Sequence, residues 1–234
     1  EAWAKDTPKD LGRLITVTKK SGNQEQLQKI DALLDKISEV RVIAATQPRL
    51  TSVDRKKPDL IEVKIGGGAV KEQLDYSKSL LGKELKSSDV FKEGSFVDVI
   101  AVTKGKGIQG PVKRWGVRML PHKSRKTRRG VGSIGGWTPN FIMYSVPRAG
   151  QMGFFQRTEF NKEILKLGED GKEATPTGGF LNYGVAKGQY IIIRGSVPGA
   201  AKRMVLMRSP ARAKGLPEAP TKIEYLSLES KQGD

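Results

Sequence analysis

The chain has 234 residues, enough for one large or two modest domains, and it carries 42 Lys+Arg against 25 Asp+Glu, a net charge of +17. It contains no cysteine, which excludes disulfides, thiolate catalysis and cysteine-based zinc sites. No apolar run has the length of a membrane span, so we expect a soluble, intracellular protein with no membrane partner. The chain begins with Glu1 in the middle of a pattern, which suggests a fragment or a processed chain.

The excess positive charge is concentrated in two blocks. Residues 99–158 hold 12 Lys/Arg and no Asp or Glu, and residues 174–217 hold 7 Lys/Arg and again no acidic residue. Residues 1–98, in contrast, hold 18 basic and 16 acidic side chains. Charge of one sign placed in blocks is typical of a binding footprint, and the simplest polyanionic partner is a nucleic-acid backbone.

The first part of the chain reads as helices among short strands. Apolar residues at spacings of three and four predict helices over residues 24–40 and 69–81. Short apolar or alternating runs predict strands over residues 14–18, 41–46 and 60–65, and residues 90–103 are predicted to form a turn and then a strand.

The basic stretch after residue 103 shows turn and hairpin signals but no helical period, so we predict coil there. Beyond it, residues 154–167 are predicted to form two strands separated by a short polar turn. A further strand is predicted to start at Tyr183, and others over residues 190–195, 203–207 and 223–228. We expect 190–195 and 203–207 to pair as a hairpin. This tally favours short antiparallel strands in a closed or nearly closed barrel, with two helices packed beside it.

Neither of the two motifs that resemble a chemical site fits its context. Gly105-x-Gly107-x-x-Gly110 matches a dinucleotide-binding fingerprint, but Pro111 and polybasic coil follow where a helix should begin. His122 is the only histidine and has no Asp or Glu within 20 residues, which argues against a metal site or a catalytic dyad. We therefore expect no cofactor, no metal and no catalysis.

The densest basic cluster, residues 123–129, favours RNA as the partner. A charge run alone is usually a solvated face, but this one lies in an acid-free window, and Arg planes stack on unpaired bases and fork onto phosphates. Trp137 follows two glycines, so we expect it at a turn or fingertip, against RNA or closing the loop. Trp115 either stacks similarly or anchors the base of the basic stretch. Phe154 and Phe155 are expected in the core.

Two stretches carry a family resemblance. They read RWGVRMLPHKSRKTRRGVGSIGGWTPNFIMYSVPRAGQMGFFQRTEFNKEI and GGFLNYGVAKGQYIIIRGSVPGAAKRMVLMRSP. Both resemble the ribosomal protein L3 family, in its archaeal type, and the likeness is specific over residues 96–210. The resemblance implies a mainly β fold with a helical insertion (α+β), namely a translation-factor-like antiparallel β-barrel with a long basic loop extension.

The resemblance also implies three parts. Residues 1–93 correspond to the helical insertion of archaeal and eukaryotic members with its flanking strands, residues 94–104 and 154–234 to the barrel, and residues 105–153 to a basic arm reaching into rRNA. Within this arm, Trp137 matches the family's fingertip tryptophan and residues 123–129 its basic thumb. Arg128 stands where eukaryotic members have a histidine, methylated in some, so that modification is not carried over. The family's N-terminal extension and first barrel strand are not present before Glu1, which leaves barrel closure open.

A member of this family is expected to be a structural constituent of the large ribosomal subunit, in the cytoplasmic ribosome, and not an enzyme. The resemblance implies that it binds large-subunit (23S) rRNA, assists early subunit assembly and extends the arm toward the peptidyl-transferase centre. Its implied partners are rRNA, neighbouring large-subunit ribosomal proteins and, indirectly, tRNA and elongation factors. The residues predicted to bind rRNA are Lys104, Lys106, Lys113, Arg114, Trp115, Arg118, His122, Lys123, Arg125, Lys126, Arg128, Arg129, Trp137, Arg148, Arg157, Lys202, Arg203, Arg208 and Arg212.

Three other interpretations stay open. A non-ribosomal RNA-binding or RNA-modifying protein would hold its substrate with the arm, and a modifying enzyme would also need a cofactor pocket. A DNA-compacting protein would bind duplex DNA at least as well as rRNA. A basic barrel domain would bind acidic proteins, which the Gly/Arg-rich arm disfavours.

Overall fold

The computed structural model describes residues 1–4, 7–16, 23–213, 215 and 220–232. The chain divides into two compact units. Unit 1 comprises Glu1–Ser95, Glu163–Arg194 and Leu216–Asp234, and unit 2 comprises Phe96–Lys162 and Gly195–Gly215. The three-part organisation implied by the family resemblance stays a prediction.

The structure is a mixed α/β arrangement with few helices and antiparallel strand pairing. The helices are α1 (Asn23–Ala32), α2 (Val70–Leu80), α3 (Ser87–Val90) and α4 (Pro111–Trp115), with 3-10 turns at Lys9–Arg13, Leu34–Lys36, Pro48–Leu50 and Gly171–Ala174. The strands are β1 (Arg41–Ala45), β2 (Leu60–Lys64), β3 (Phe96–Val102), β4 (Ile108–Gln109), β5 (Gly150–Gln151), β6 (Gln156–Gly168), β7 (Tyr190–Ile193) and β8 (Leu206–Arg208).

Unit 1 contains a two-stranded ladder and helix α2, both of them predicted. Strands β1 and β2 pair antiparallel from Arg41 opposite Lys64 to Ala45 opposite Leu60. Helix α2 begins after a glycine run and buries Leu74. Helix α1 is shorter than the predicted 24–40, because the chain tightens into a 3-10 turn after Leu33. An apolar spacing of three suits a 3-10 turn as well as an α-helix, so periodicity could not place that end.

The second half of β6 and strand β7 also belong to unit 1. They pair antiparallel from Ile164 opposite Ile193 to Gly168 opposite Tyr190, with a register irregularity after Ile164. Ile164 is fully buried, and the Glu163 carboxylate beside it accepts hydrogen bonds from the Thr221 hydroxyl and the Arg194 guanidinium. The predicted strand over 190–195 is therefore confirmed by β7.

Unit 2 is built on β3, the most buried strand of the chain that the structure describes. Val97 and Val99 are fully buried, and so is the carboxylate between them, Asp98. Strand β8 pairs antiparallel with β3, with Asp98 opposite Arg208. The first half of β6 follows on the other side of β3, so this sheet has the order β6-β3-β8. The basic stretch leaves the sheet at the end of β3 and returns at the start of β6.

Five strand predictions are wrong or only partly met. The two pieces predicted over 154–167 are one strand, β6, because the backbone N–H of Asn161 donates to the buried Asp98 carboxylate where we expected a polar turn. Residues 203–207 do not form a hairpin with 190–195, since β8 pairs with β3. The expected strand at Tyr183 is reduced to a single bridge, Phe180 with Gly184.

The two remaining strand predictions lie near the chain ends. Residues 223–228 are not in a strand, and Leu228 is tied through its carbonyl to Thr177 instead. Residues 14–16 continue a turn in which the Ile15 N–H donates to the Leu11 carbonyl, while residues 17–18 lie outside the described part of the chain. Among the described residues we find no closed barrel, so the barrel stays a prediction.

Candidate nucleic-acid interface

Every residue predicted to bind rRNA belongs to unit 2, and so does nearly all of the net charge. The sequence of unit 2 holds 18 Lys+Arg and 2 Asp+Glu, whereas that of unit 1 holds 24 and 23. Both carboxylates of unit 2 are engaged within it: Asp98 pairs with Arg208 at 3.3 Å and Glu159 with Lys162 at 2.6 Å. The basic stretch between β3 and β6 therefore has no carboxylate of its own to neutralise it.

The two ends of the basic stretch are joined by a backbone ladder. Thr103 donates to the Phe155 carbonyl at 2.9 Å and Lys106 to the Met152 carbonyl at 2.8 Å, and β4 and β5 continue the pairing as far as Gln109 opposite Gly150. We call residues 103–115 and 148–157 the arm base, and residues 116–147 the arm tip. The ladder gives the arm base a fixed geometry before any partner is bound.

Helix α4 is hydrogen-bonded to the returning segment of the arm base through two of the residues predicted to bind rRNA. The Arg114 guanidinium donates to the carbonyls of Gln151 and Arg148, both at 3.1 Å, and lies 5.2 Å from the centroid of the Trp115 ring. The Trp115 indole N–H also donates to the Arg148 carbonyl, at 3.2 Å. Of the two roles left open for Trp115, anchoring the base is thus observed, while 58% of the residue stays exposed.

The arm tip presents the basic cluster of residues 123–129 on a small closed loop. The loop is closed by a 2.9 Å hydrogen bond from the Leu120 N–H to the Arg128 carbonyl, and the Arg129 guanidinium contacts the Met119 sulfur at 3.6 Å. Arg128 is half-buried, and its Nε is a buried atom without a hydrogen-bond partner. The exposed members of this region are Arg118, His122, Lys123, Arg125, Lys126 and Arg129.

Trp137 is 91% exposed at the arm tip, in keeping with the predicted fingertip position. Sequence reasoning did not single out two other aromatic residues there, Phe141 at 69% and Tyr144 at 99% exposure. The sequence could have predicted their exposure. The run from Phe141 to Tyr144 is apolar and lies in a Gly-rich, acid-free segment that has no core in which to bury it. Rings exposed in this way can stack on unpaired bases.

The predicted residues outside the arm split into two groups. Arg203 and Arg208 serve the sheet: Arg203 donates to the carbonyls of Val102 and Thr103 at 2.9 and 2.8 Å, and Arg208 pairs with Asp98. Arg212 lies over the Phe160 ring, 5.2 Å from its centroid. Lys202, also outside the arm, is exposed, and so are the other predicted cations of the arm base, which are Lys104, Lys106, Lys113, Arg148 and Arg157.

Two local expectations about the arm are wrong. A five-residue helix, α4, does begin after Gly110 where we predicted coil, since a proline at the first helical position is pre-organised for a helix. Phe154 and Phe155 are 65% and 38% exposed and not in the core, because β6 begins after them, at Gln156. The antiparallel pairing around α4 still differs from the parallel βαβ unit of a dinucleotide site.

Asp98 is the one buried charge that organises unit 2. Burial raises the pKa of its carboxyl, but the backbone N–H groups of Ala211 and Asn161 and the Arg208 guanidinium outweigh that effect, so the pKa lies below its ordinary value. Asp98 therefore remains ionised and holds three segments of unit 2 together, through hydrogen bonds of 3.0 to 3.3 Å.

Neither a metal-binding cluster nor a membrane-spanning helix is present in the part of the chain that the structure describes. No group of three or more His, Asp or Glu side chains lies close enough together to hold a metal ion. No described helix has the length and apolar character needed to cross a membrane.

Comparison with known proteins gives a consistent result. The profile described as Ribosomal protein L3 matches residues 1–233. The chain is 51% identical over 240 residues to large ribosomal subunit protein uL3 of Methanococcus vannielii, covering 100% of this chain and 70% of that protein. For the uL3 proteins of Methanocaldococcus jannaschii and Methanopyrus kandleri the identities are 48% and 49%, covering 100% of this chain and 70% and 66% of those proteins. The resemblance drawn from the sequence is thus confirmed, and the chain belongs to the ribosomal protein L3 family, a family of ribosomal proteins and not of enzymes.

Proposed function

We propose that this chain is a structural constituent of the large subunit of the cytoplasmic ribosome and binds large-subunit rRNA through unit 2. The observation that carries the proposal is the confinement of 18 basic and only 2 acidic side chains to unit 2. Phosphate neutralisation by these cations supplies the affinity, and exposed rings such as Trp137 stack on unpaired bases.

The finer parts of the proposal follow the family resemblance. The sheet of unit 2 belongs to a translation-factor-like barrel, and residues 105–153 thread between rRNA helices toward the peptidyl-transferase centre. In this position the arm assists early subunit assembly and acts indirectly on tRNA and elongation factors. The support for this arrangement is an exposed tip, with Trp137 at 91% and Tyr144 at 99% exposure, on a base fixed by its own hydrogen bonds.

The proposal is tested by the salt dependence of rRNA binding. Changing Arg125, Arg128 and Arg129 together to Ala removes three cations of the arm tip, and each phosphate contact contributes roughly 0.7 to 0.9 to the log–log salt slope. We expect the slope to fall by about 2 to 3 in a filter-binding titration. The matched control changes three exposed lysines of unit 1, Lys56, Lys57 and Lys71, to Ala and removes the same charge.

The control variant should leave the slope within about 0.5 of the unmodified value if binding is confined to unit 2. An equal decrease in the salt slope of the two variants would mean that RNA binding depends on the total charge of the chain and not on the arm. Competition with duplex DNA in the same assay separates the DNA-compacting alternative, which requires DNA to compete at least as well as rRNA.

A further inference from the structure

A cleft at the arm base, lined by residues of unit 2, has a volume of about 540 Å³. Its principal walls are formed by Lys104, Lys106, Arg114, Trp115, Phe155 and Arg157. We propose that this cleft takes a single unstacked nucleotide of an RNA strand, with its base against the aromatic walls and its phosphates against the cations. The inference deepens the proposed function and rests on RNA binding by unit 2.

The charge of the cleft selects an anion. Four of its lining side chains are cations and none is acidic. Arg114 is held in place by the two carbonyls to which it donates, and the backbone of Lys106 is fixed by the ladder to Met152. A nucleotide brings phosphates that such cations neutralise, and an arginine fork fits two phosphate oxygens at once.

The aromatic walls are what distinguish this cleft from a simple phosphate site. The Trp115 ring is fixed through its N–H to the Arg148 carbonyl at 3.2 Å. The backbone of Phe155 is fixed to Thr103, because its carbonyl accepts from the Thr103 N–H at 2.9 Å and its N–H donates to the Thr103 hydroxyl at 3.2 Å. Both rings nevertheless remain partly exposed, at 58% and 38%. Rings held rigidly by the backbone lose little entropy when a base stacks on them.

The cations and rings are also coupled to each other. The Arg157 guanidinium lies 5.4 Å from the centroid of Phe155, and Arg114 lies 5.2 Å from that of Trp115. A cation thus lies over the ring of each aromatic wall, and this places cations for a backbone phosphate close to rings for a base. The volume lies within the range of small-ligand pockets and admits one nucleotide, but not a stacked duplex.

The cleft is kept open by a glycine. Gly153 has φ +74° and packs so closely on the Lys104 carbonyl that a Cβ at this position would overlap it. Any other residue there would force apart the two segments of the arm base that carry Lys104 and Gly153. The shape of the cleft therefore depends on a contact within the arm base itself.

The test uses the full chain and a short single-stranded oligoribonucleotide with one central 2-aminopurine, whose fluorescence is quenched when it stacks on an aromatic ring. The Phe155→Leu variant keeps an apolar side chain but removes the ring from the cleft. The matched control is Phe154→Leu, since Phe154 is the neighbouring exposed ring, lies near Arg203 and does not line the cleft. Circular dichroism melting curves verify that both variants fold.

We expect Phe155→Leu to abolish most of the quenching and to weaken binding about tenfold, while Phe154→Leu changes affinity less than about twofold. Equal effects of the two substitutions would overturn the assignment of the cleft. Competition by micromolar adenosine monophosphate would overturn it too, because it would identify a free-nucleotide site. If the unmodified chain binds the oligoribonucleotide and its salt slope depends on the arm, the proposed function survives either result.

Discussion

The two units differ in the balance of their charges and in how they use them. Unit 1 carries 24 basic and 23 acidic side chains, and many of them pair at its surface, as Glu39 does with Lys64 at 2.7 Å and with Arg41 at 3.0 Å. Unit 2 carries 18 and 2, so its cations can only point to solvent, contact carbonyls and rings, or share two carboxylates. The charges of unit 1 balance one another within the unit, whereas the excess positive charge of unit 2 is stabilised by a polyanion.

The comparison also explains how a basic unit can fold. Unit 2 places one of its two carboxylates, Asp98, at the centre of its sheet and lets it accept from Asn161, Arg208 and Ala211. Its arm base is held by backbone pairing and by arginine–carbonyl contacts, neither of which needs an acidic partner. Unit 2 thus folds through contacts that need few acidic partners.

The largest effect is expected from removing the buried carboxylate of unit 2. Asp98→Ala leaves two backbone N–H groups and the Arg208 guanidinium without their acceptor, and each buried N–H without a partner costs about 1 to 3 kcal/mol. We expect a loss of about 3 kcal/mol in the free energy of unfolding, measured by urea denaturation of the full chain.

The control for this substitution is the other carboxylate of unit 2. Glu159 pairs with Lys162 in a partly exposed position, so Glu159→Ala should cost less than about 1 kcal/mol. If the two substitutions cost the same, Asp98 would not be the organising charge of unit 2, and the contrast drawn between the units would lose its structural basis.

Acid should lower the stability of both units, but by less than the Asp98→Ala substitution does. The pKa of Glu163 in unit 1 is lowered by the hydrogen bond from the Thr221 hydroxyl and by Arg194, against the opposing effect of burial, and the pKa of Asp98 is also lowered. A carboxyl with a depressed folded-state pKa contributes stability that is complete above its unfolded pKa, about 4, and is lost as the pH falls through the folded value.

The melting temperature should therefore be nearly constant from pH 7 to pH 5 and fall below about pH 4. The Asp98→Asn variant should show a shallower decline over the same acidic range, because it has one fewer group to protonate. A steep loss of stability between pH 7 and pH 5 would contradict this prediction, because it would implicate a group other than these two carboxyls.

The sequence was informative wherever a local pattern decides local structure. Periodicity located helix α2 and alternation located β2, and a charge count located the basic stretch between β3 and β6. What it could not supply were contacts between residues far apart in the chain. Asp98 contributes both to the pairing of β8 with β3 and to the continuity of β6 through Asn161. It lies more than 60 positions along the chain from both Asn161 and Arg208.

The candidate site shows the same limit. The cations and Trp137 were identified from composition and neighbouring glycines, since exposed basic residues need no partner to be placed. Phe155 was expected in the core because it lies beside a strand, yet its ring lines the cleft of the arm base. Whether an aromatic next to a strand is buried depends on the face it occupies and on the register of the ladder, and neither can be read from one sequence.

The smallest effect on stability should come from the most exposed ring. Trp137 is 91% exposed, so Trp137→Ala should change the free energy of unfolding by less than about 0.5 kcal/mol. Trp115→Ala removes the N–H bond to the Arg148 carbonyl and should cost about 1 kcal/mol. If the ring stacks on an unpaired base as proposed, the Trp137 substitution should weaken rRNA affinity several-fold despite its negligible effect on folding. A loss of melting temperature in Trp137→Ala equal to that in Trp115→Ala would show that the tip packs on its own chain, and the arm would then be part of the fold and not a binding element.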